Sequence, residues 1–447
     1  MNVKKYTSEF KTNINLAVPV MLGQLGHVLV GFADNIMVGE LGAPSLAAIS
    51  LSNAVFFILM GIGVGFSFAL TPLISEADAT KKYIEGKKNY QHGVVLLTAL
   101  GVILSIILLS IEPLLSLIGQ PMEVVKLAIP YYRVLAFSMI PLLIFQAIKQ
   151  FTDGLSLTKY AMVAILSANV VNIVLNYVLI YGKFGAPSMG TVGAAYGTLF
   201  SRVLMILILL FFISRRKKFQ PYKIKISWLA VEKERVIKIF RLGYPNALQM
   251  FFEIGIFASA VLLSGMIGTE DQAANQIALN LSTMTFMVAT GVAVATTIRV
   301  GNQKGLKAYK NLKVIALSNV FLMIIIAVFA AVGFITLRIY LPKLYIDDQN
   351  VVSIASQLLI IAGLFQISDG IQVVVLGALR GLQDMFVPMC LVFVSYWVVG
   401  FPICYYLGIM TSLETLGIWL GLLISLTVSA TLLYLRFQHL TKRLLLS

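Results

Sequence analysis

The chain has 447 residues, of which 59% are hydrophobic and only 12% are charged. Soluble globular domains are closer to half apolar and a quarter charged, so this composition excludes an ordinary soluble protein. Apolar runs of about 18 or more residues recur along the sequence and predict a polytopic membrane protein. Because the alternating pattern of a β-barrel is absent, the spans are predicted to be helices.

Twelve spans are predicted in chain order. Their approximate limits are 14–38, 46–73, 92–115, 127–149, 160–181, 190–213, 240–267, 273–298, 314–340, 351–377, 387–410 and 416–436. The predicted fold class is therefore an all-α membrane protein with twelve transmembrane helices.

The net charge of +15 follows from this topology. When the N-terminus is placed inside, most of the 34 Lys and Arg fall on its side of the membrane. The opposite side holds only Lys126, Lys183, Arg338 and Lys343. Cytoplasmic loops are enriched in Lys and Arg, so both termini are predicted to be cytoplasmic. Nucleic-acid binding is not needed to explain the basic excess.

The first span carries polar residues where a bilayer favours apolar ones. Gln24, His27, Gly31 and Asp34 are spaced 3, 4 and 3 apart, which places them on one helix face. A carboxylate in hydrocarbon costs ~2.5 kcal/mol or more, so Asp34 is expected to face a cavity or a partner. The alternative is a charge near the helix end that reaches the water layer, since Gly39 is close by.

A long charged interval, 214–241, separates the sixth and seventh spans on the predicted cytoplasmic side. It is the natural boundary between two halves, which gives an N-terminal six-helix bundle at 1–213, a linker at 214–239 and a C-terminal six-helix bundle at 240–447. The part from Trp228 to Phe240 has the pattern of an amphipathic helix on the membrane surface.

The two halves repeat. An offset of 226 residues places Pro19 on Pro245, Gly39 on Gly265, Gly42 on Gly268, Gly65 on Gly291 and Thr71 on Thr297, and an offset of 227 places Gly154 on Gly381. Because each half has an even number of spans, the repeats are parallel and related by an axis along the membrane normal, as in one class of transporter. The halves are not copies, since Asp34 falls on Ala260 and Glu253 falls on His27.

Four further spans carry polar faces at helical spacing. They are Asn169, Asn172 and Asn176 in the fifth span, Asn246, Gln249 and Glu253 in the seventh, Gln276, Asn280 and Thr283 in the eighth, and Gln366, Asp369 and Gln372 in the tenth. One such face is explained by hydrogen bonds between helices. Five faces in two related halves favour the lining of two cavities.

The intramembrane acids are the candidate binding groups. If Glu253 and Asp369 share one cavity, they titrate as a pair, and one monovalent cation or proton relieves the repulsion between them. Asp34 is suited to a proton, a cation or a positively charged substrate. The alternative for each acid is a structural ion pair. Away from the outermost three positions of the predicted spans, the only Lys or Arg residues are Arg133 and Arg202, and both are interpreted as near span ends, so most of the acids are expected to lack a cationic partner.

Motifs for chemical catalysis are absent from the sequence. No Walker loop, GxSxG or HExxH occurs, which argues against an enzyme and against direct use of ATP. His27, His92 and His439 are too scattered for a metal cluster, and no cofactor is expected. Cys390 and Cys404 share one span and are expected to pack rather than pair.

A further set of residues carries a family resemblance. It comprises Pro19-Val20, Gln24, Asp34, Met37-Val38-Gly39, Leu41-Gly42 and Leu46-Ala47-Ala48 in the first half, with Pro245 to Glu253 and Ala274 to Asn280 in the second. With these residues the chain resembles the multidrug and toxic compound extrusion (MATE) transporters over nearly its whole length, and most closely the NorM-like branch. The Gly-x-x-x-Asp-Arg signature of the major facilitator superfamily is absent after the second span.

The resemblance implies two pseudo-symmetric six-helix bundles and rocker-type alternating access driven by Na⁺ or H⁺. It implies cation coupling at Glu253 and Asp369, with possible Na⁺ binding there, and with the aromatic Phe286 nearby.

The resemblance also implies residues for the substrate or a proton. These are Asp34, Gln24, Asn172, Asn176, Gln276 and Asp348. Asn176 replaces an aspartate that is usual in the other prokaryotic branch, which argues against a first-half cation cluster of that branch's type. Asp348 follows another acid in a loop, where a solvated charge pair is the alternative.

The leading hypothesis is an antiporter in the inner membrane that exports amphipathic, mostly cationic organic molecules as a monomer. One alternative is a flippase of the wider superfamily that moves lipid-linked saccharides. The acidic cavity residues favour cationic substrates over this alternative. Another alternative is a channel or receptor scaffold, which would need no coupling acids.

Overall fold

The computed structural model describes residues 6–117, 121–222 and 231–446, and no strand occurs among them. Twelve helices in these residues are long and apolar enough to cross a membrane, as predicted. They are α1 Phe10–Gly39, α2 Ala43–Ala79, α3 Tyr83–Ser116, α4 Met122–Gly154, α5 Thr158–Tyr181, α6 Thr191–Arg215, α7 Lys233–Ile267, α8 Thr269–Gly305, α9 Tyr309–Thr336, α10 Gln349–Gly381, α11 Phe386–Ile409 and α12 Glu414–Leu446. A helix satisfies its own backbone hydrogen bonds, which hydrocarbon demands.

Most helices extend beyond their predicted apolar limits. The seventh begins at Lys233 rather than 240, and the twelfth continues to Leu446 rather than 436. The added turns are rich in Lys, Arg and Glu, which are good helix formers but lower the apolar score of a sequence window. Residues 233–239, the end of the predicted 214–239 linker, therefore belong to α7. Trp228, the first residue of the predicted surface helix, lies outside the described residues.

Two helices have local irregularities that position side chains. In α4 the α-helical hydrogen bonding is interrupted at Ser138, between segments that end at Phe137 and begin at Met139. In α11 the segment Val394–Gly400 is a π-helix, which holds one more residue per turn than its flanks. Both irregularities face candidate site residues described below.

The chain divides into two compact units. The N-unit is Leu22–Ala247, and the C-unit is Met1–Met21 together with Leu248–Ser447. Each has its own buried apolar cores. The two divisions fall inside α1 and α7, and the repeat offset of 226 places residue 21 on residue 247. This grouping differs from the predicted bundles at 1–213 and 240–447 because tertiary contacts assign the first part of each half's first helix to the other half's unit.

The start of α1 is held within the C-unit by polar contacts. Arg299 on α8 pairs with Glu9 at 2.6 Å and also donates to the side chain of Asn13. The hydroxyl of Ser318 on α9 donates to the backbone carbonyl of Tyr6 at 2.7 Å. These bonds explain why the residues before Leu22 group with the second half of the sequence.

The start of α7 is held in the N-unit by a corresponding set of contacts. Arg235 pairs with Glu85 on α3 at 2.9 Å. The backbone N–H of Glu232 donates to Nε2 of His92, also on α3, at 2.7 Å. The offset of 226 places these two residues on the Tyr6–Ser318 contact of the C-unit. The same two positions are therefore bonded in both halves, although the chemical groups differ.

Backbone conformation carries the same repeat. Lys81 and Lys307, which are 226 residues apart, have φ values of 56° and 55°. Ser156 and Gln383, which are 227 residues apart, have φ values of 60° and 63°. A positive φ is uncommon for residues other than glycine, so its recurrence at both offsets is strong evidence for the internal repeat.

We predict a steric effect at Gly377, where α10 approaches α8 closely. A Cβ at this position would lie 2.5 Å from the carbonyl oxygen of Ala293. The substitution Gly377→Ala should therefore destabilise the protein by about 1–3 kcal/mol through overpacking. Thermal unfolding of the purified protein in detergent measures the effect.

The matched control is Gly333→Ala on α9, where a Cβ meets no atom within 4 Å. This change should be neutral or stabilising, because alanine is favoured over glycine in a helix by about 1 kcal/mol. Equal unfolding midpoints for the two variants would contradict the close approach at Gly377.

Candidate functional site

The C-unit brings two candidate acids together. Glu253 lies on α7 and Asp369 on α10, and they are only 6% and 2% exposed. Each is within electrostatic range of the other, so two buried carboxylates face one region of the unit. Two like charges in a buried site favour the binding of a proton or a cation, which relieves their repulsion.

Several buried polar atoms near these acids have no hydrogen-bond partner among the described residues. Asp369 Oδ1 is one of them, and on the same helix so are Gln366 Nε2 and Gln372 Oε1. Gln249 Nε2, one turn before Glu253 on α7, is another. Buried polar atoms are nearly always bonded in native proteins, so this group of free atoms indicates a place for water, an ion or a ligand.

Tyr396 joins this site from the π-helical segment of α11. Its hydroxyl oxygen accepts a hydrogen bond from Gln372 Nε2 at 2.5 Å. The phenol is fully buried and interacts electrostatically with both Glu253 and Asp369. Sequence analysis missed Tyr396 because the π-helical insertion, which is frequent at functional sites, cannot be recognised in an apolar run. The available signal was the tyrosine itself in the middle of a span.

Glu253 has a cationic neighbour, contrary to the expectation from sequence. Arg380 interacts electrostatically with its carboxylate. The expectation was wrong because α10 continues to Gly381, beyond its predicted end at 377, so that Arg380 belongs to the helix rather than to a loop. One acid of the pair is thus partly balanced within the unit.

The other second-half candidates lie in different surroundings. Phe286 on α8 is half-buried and packs against an apolar cluster that includes Ala289 and Val373. Gln276 is exposed and lies closer to the start of the same helix, where it donates to Asn280 at 3.2 Å. The two residues are ten positions apart, about 15 Å along the helix axis, so they do not share a single contact point.

In the N-unit, Asp34 is joined to the asparagines of α5. Asn176 Nδ2 donates to Asp34 Oδ1 at 2.6 Å and also lies 3.3 Å from Asn172 Oδ1. Asn176 is fully buried, and its own oxygen lies where a Cβ of Gly197 would be, at 2.0 Å. Glycine at this position of α6 therefore makes room for the asparagine that orients Asp34.

Asp34 also has an arginine nearby. Arg202 stands in the middle of α6 and interacts electrostatically with Asp34 and with Tyr131. Its guanidinium lies over the ring of Phe56 at 4.9 Å and donates to the hydroxyl of Ser138, at the interruption in α4. The expectation of an unpartnered Asp34 was therefore wrong, because Arg202 was interpreted as a residue near a span end.

The two remaining candidates, Gln24 and Asp348, lie apart from the polar groups around the three acids. Gln24 is half-buried on α1, ten positions before Asp34 and thus about 15 Å along the axis. Asp348 is the N-cap of α10, where its carboxylate accepts the backbone N–H groups of Asn350 at 2.9 Å and Val351 at 3.1 Å. A capping role accounts for Asp348 without a ligand. Its contact with a substrate stays a prediction.

The candidate residues of each unit are mainly carboxylates, amides and hydroxyls. Within the described residues, no group of three or more His, Cys, Asp and Glu side chains is placed to hold a metal ion. Each unit instead offers buried carboxylates, amides and hydroxyls, with an arginine within electrostatic range. Such groups can exchange a proton or a monovalent cation and can attract an organic cation.

Comparison with known families decides the assignment. The MatE family profile matches residues 19–178 and 245–406, and the two matches begin at the repeat offset of 226. This chain belongs to the MatE family. The match covers most of both halves, as expected for a protein built from two copies of one unit.

Individual MATE proteins are similar over nearly the full length. The multidrug resistance protein NorM of Vibrio cholerae is 34% identical, with 98% of this chain and 97% of the relative covered. The multidrug resistance protein MdtK of Yersinia pestis (strain Pestoides F) is 31% identical, with 99% and 98% covered. The crystal structure of the eukaryotic MATE transporter AtDTX14 superposes with a TM-score of 0.90 at 21% identity, covering 98% of this chain and 99% of that one. The predicted MATE fold is confirmed.

We predict that Trp397 reports the binding of a cation to the C-unit acids. Its indole N–H donates to the carbonyl of Phe252 at 3.2 Å, and its ring lies where a Cβ of Gly255 would be 2.7 Å from it, so it packs on residues that flank Glu253 in sequence. Addition of the coupling cation, as Na⁺ or as acid, should change the tryptophan fluorescence of the purified MATE protein. The variant Glu253→Gln should lose this change.

The variant Trp397→Phe tests whether the signal has been assigned to the correct residue. The chain has two other tryptophans, so background emission remains. A full cation-dependent change in Trp397→Phe would show that the signal comes from elsewhere and would contradict the assignment.

Proposed function

We propose that this MATE transporter is a multidrug efflux antiporter that exchanges amphipathic, mostly cationic organic molecules for Na⁺ or H⁺. The single observation that carries the proposal is the buried pair Glu253 and Asp369, surrounded by buried polar atoms without a partner among the described residues. The relatives NorM and MdtK are named for multidrug resistance and match nearly the whole chain. MATE proteins are transporters, not enzymes, and need no cofactor.

The coupling ion is assigned to the C-unit. Hard cations prefer oxygen ligands, and Asp369 Oδ1 and Gln372 Oε1 are buried oxygens that are free for that purpose. A proton would use the carboxylate of Glu253 or Asp369 directly. Either ion removes the repulsion between the two acids. Na⁺ or H⁺ therefore binds more tightly to the conformation in which Glu253 and Asp369 are buried together. Phe286 would contribute an apolar wall on α8.

The substrate, or a proton that competes with it, is assigned to the N-unit around Asp34. An organic cation is attracted by the carboxylate, and the amide of Asn176 fixes the position of one of its oxygens. Arg202 also interacts with the Asp34 carboxylate and therefore competes with a cationic ligand. A ligand binds only if its own interaction energy exceeds the energy lost when the interaction between Arg202 and Asp34 is weakened. Gln24, Asn172 and, in the C-unit, Gln276 and Asp348 are proposed as further substrate contacts.

Exchange requires that the two ligands favour different conformations of the carrier. A ligand shifts an equilibrium only by its difference in affinity for the two states. Rocker-type alternating access then releases the drug when the cation binds.

The protein is a multi-pass protein of the inner membrane. We propose that both termini are cytoplasmic and that a monomer is sufficient, because each candidate site is built within a single chain.

The first functional prediction concerns Asp34→Asn. The amide keeps the shape of the side chain but removes its charge, which should lower the rate of ethidium export by about 10- to 100-fold, since a charged hydrogen bond contributes about 1.5–3 kcal/mol. Export from cells that express equal amounts of protein measures this loss. Glu40→Gln, an exposed acid just after α1, is the matched control and should export normally. Unchanged efflux by Asp34→Asn would refute its role.

The second functional prediction concerns Glu253→Gln and Asp369→Asn. Each substitution removes one charge of the pair. The two side chains then no longer repel each other, and this repulsion is what favours the binding of a cation. Drug release triggered by a jump in Na⁺ or in acidity should be lost in both variants, while drug binding without the cation persists. Asp347→Asn, an exposed acid of the C-unit, serves as the control. Release on a cation jump in either site variant would contradict the assigned coupling site.

The experiment that tests the whole proposal is ethidium transport by purified protein in proteoliposomes, with Na⁺ and pH gradients imposed separately. An antiporter accumulates ethidium against its gradient when one of the two ion gradients is present, and that gradient identifies the coupling ion. A channel would only dissipate the ethidium gradient, and that result would overturn the proposal.

A further inference from the structure

A cleft of about 310 Å³ lies in the C-unit where the start of α9 meets the end of α12. Its lining residues are Lys313, Gln438, His439, Lys442, Leu445 and Leu446. None of them belongs to either candidate transport site. The lining combines two lysines and a histidine with two leucines, and it contains no acid.

The positive charge around this cleft has no acidic counterpart in the neighbouring sequence. The stretches 299–313 and 436–446, which contribute all of the lining, contain neither Asp nor Glu. Asp384, the acid bonded to the same part of α12, is already paired with Arg436 through two bonds of 2.8 and 3.2 Å. Its charge is therefore not available to Lys313 or Lys442.

The start of α9 adds to this field. The first turn of α9 contains no acid and its N-cap side chain makes no hydrogen bond, so the partial positive charge of the helix start is uncompensated. Lys310 and Lys313 lie in and just after that turn, where cations are unfavourable. A bound anion would relieve the repulsion among these groups, which makes an anion the expected ligand.

The apolar part of the cleft indicates which anion. Lys442, Leu445 and Leu446 follow one face of α12, and the leucines lie one turn beyond the lysine, about 6 Å along the axis. Leu446 is 81% exposed and Leu445 is 40% exposed. Leucines left outside the protein core beside basic side chains match a ligand with a phosphate and an attached hydrocarbon chain. A free phosphate would use only the basic part.

We propose that this cleft binds the headgroup phosphate of an anionic phospholipid from the cytoplasmic leaflet. Both helix ends lie on the side to which the Lys and Arg distribution assigns the cytoplasm, and basic pockets between helices on that side are suited to anionic headgroups. Lys313 and Lys442 contact the phosphate, Gln438 donates a hydrogen bond, and the leucines contact the upper part of an acyl chain. The site goes beyond transport, since the lipid is a bound partner and not cargo.

The test uses the purified full-length protein in detergent and measures its thermal unfolding midpoint as ligand is added. Short-chain phosphatidylglycerol should raise the midpoint at a concentration at least tenfold lower than phosphatidylcholine of the same chain length. The double substitution Lys313→Gln with Lys442→Gln should raise the half-saturating phosphatidylglycerol concentration at least tenfold. The double control Lys82→Gln with Lys217→Gln removes the same charge from exposed positions of the N-unit and should leave binding unchanged.

A third arm distinguishes a lipid from free phosphate. Leu446→Ser keeps every charge, so it should weaken the effect of phosphatidylglycerol and leave the effect of inorganic phosphate unchanged. Equal responses to the two lipids, or equal affinity of wild type and the Lys313/Lys442 variant, would overturn the proposal. It would also be overturned if inorganic phosphate alone reproduced the full shift, because the leucines would then have no role.

Discussion

The cost of a carboxylate within hydrocarbon governs much of this structure. Asp34, Glu253 and Asp369 all lie on membrane-spanning helices, and the first two have neighbours that reduce this cost. Asp34 has Asn176 as a donor and Arg202 within electrostatic range. Glu253 has Arg380 in a comparable relation. Asp369 Oδ1, by contrast, has no hydrogen-bond partner among the described residues, and this is the observation behind the proposed ion site.

The two halves share one pattern of helices, but they carry their buried acids at different positions of that pattern. The repeat is exact enough to preserve positive φ values at Lys81 and Lys307. At the repeat offset, however, Asp34 of α1 corresponds to Ala260 of α7, and Glu253 of α7 corresponds to His27 of α1. An internal duplication therefore supplied two equivalent scaffolds, and substitutions at a few buried positions gave them different binding groups. This divergence is consistent with two ligands that bind at separate places.

Much of the fold could be predicted from sequence because the bilayer imposes simple rules. Long apolar runs locate the helices, and matched glycines and prolines reveal the repeat. Polar residues at helical spacing also single out Asp34, Glu253 and Asp369. The arginine partners could not be predicted, since Arg380 lies beyond the apolar window of its span and the environment of Arg202 depends on how α6 packs.

Other features depend on tertiary structure that no local pattern encodes. Tyr396 is directed toward the acids by a π-helical segment, whose extra residue leaves no trace in hydropathy. Asp348 resembles a ligand-binding acid in sequence but caps a helix in three dimensions. The assignment of the α1 start to the C-unit rests on contacts such as Arg299 with Glu9, between residues far apart in sequence.

The division of α1 between the two units has a consequence for biosynthesis. The N-unit is one continuous stretch, 22–247, so all of its parts have left the ribosome when about half of the chain has been made. The C-unit contains the beginning of the chain and its last 200 residues, and Tyr6 bonds to Ser318, 312 positions later. Tyr6 and its neighbours in α1 are therefore made well before their partners in the C-unit. Because domains generally fold as units during synthesis, the N-unit is expected to form before the start of α1 reaches its partners.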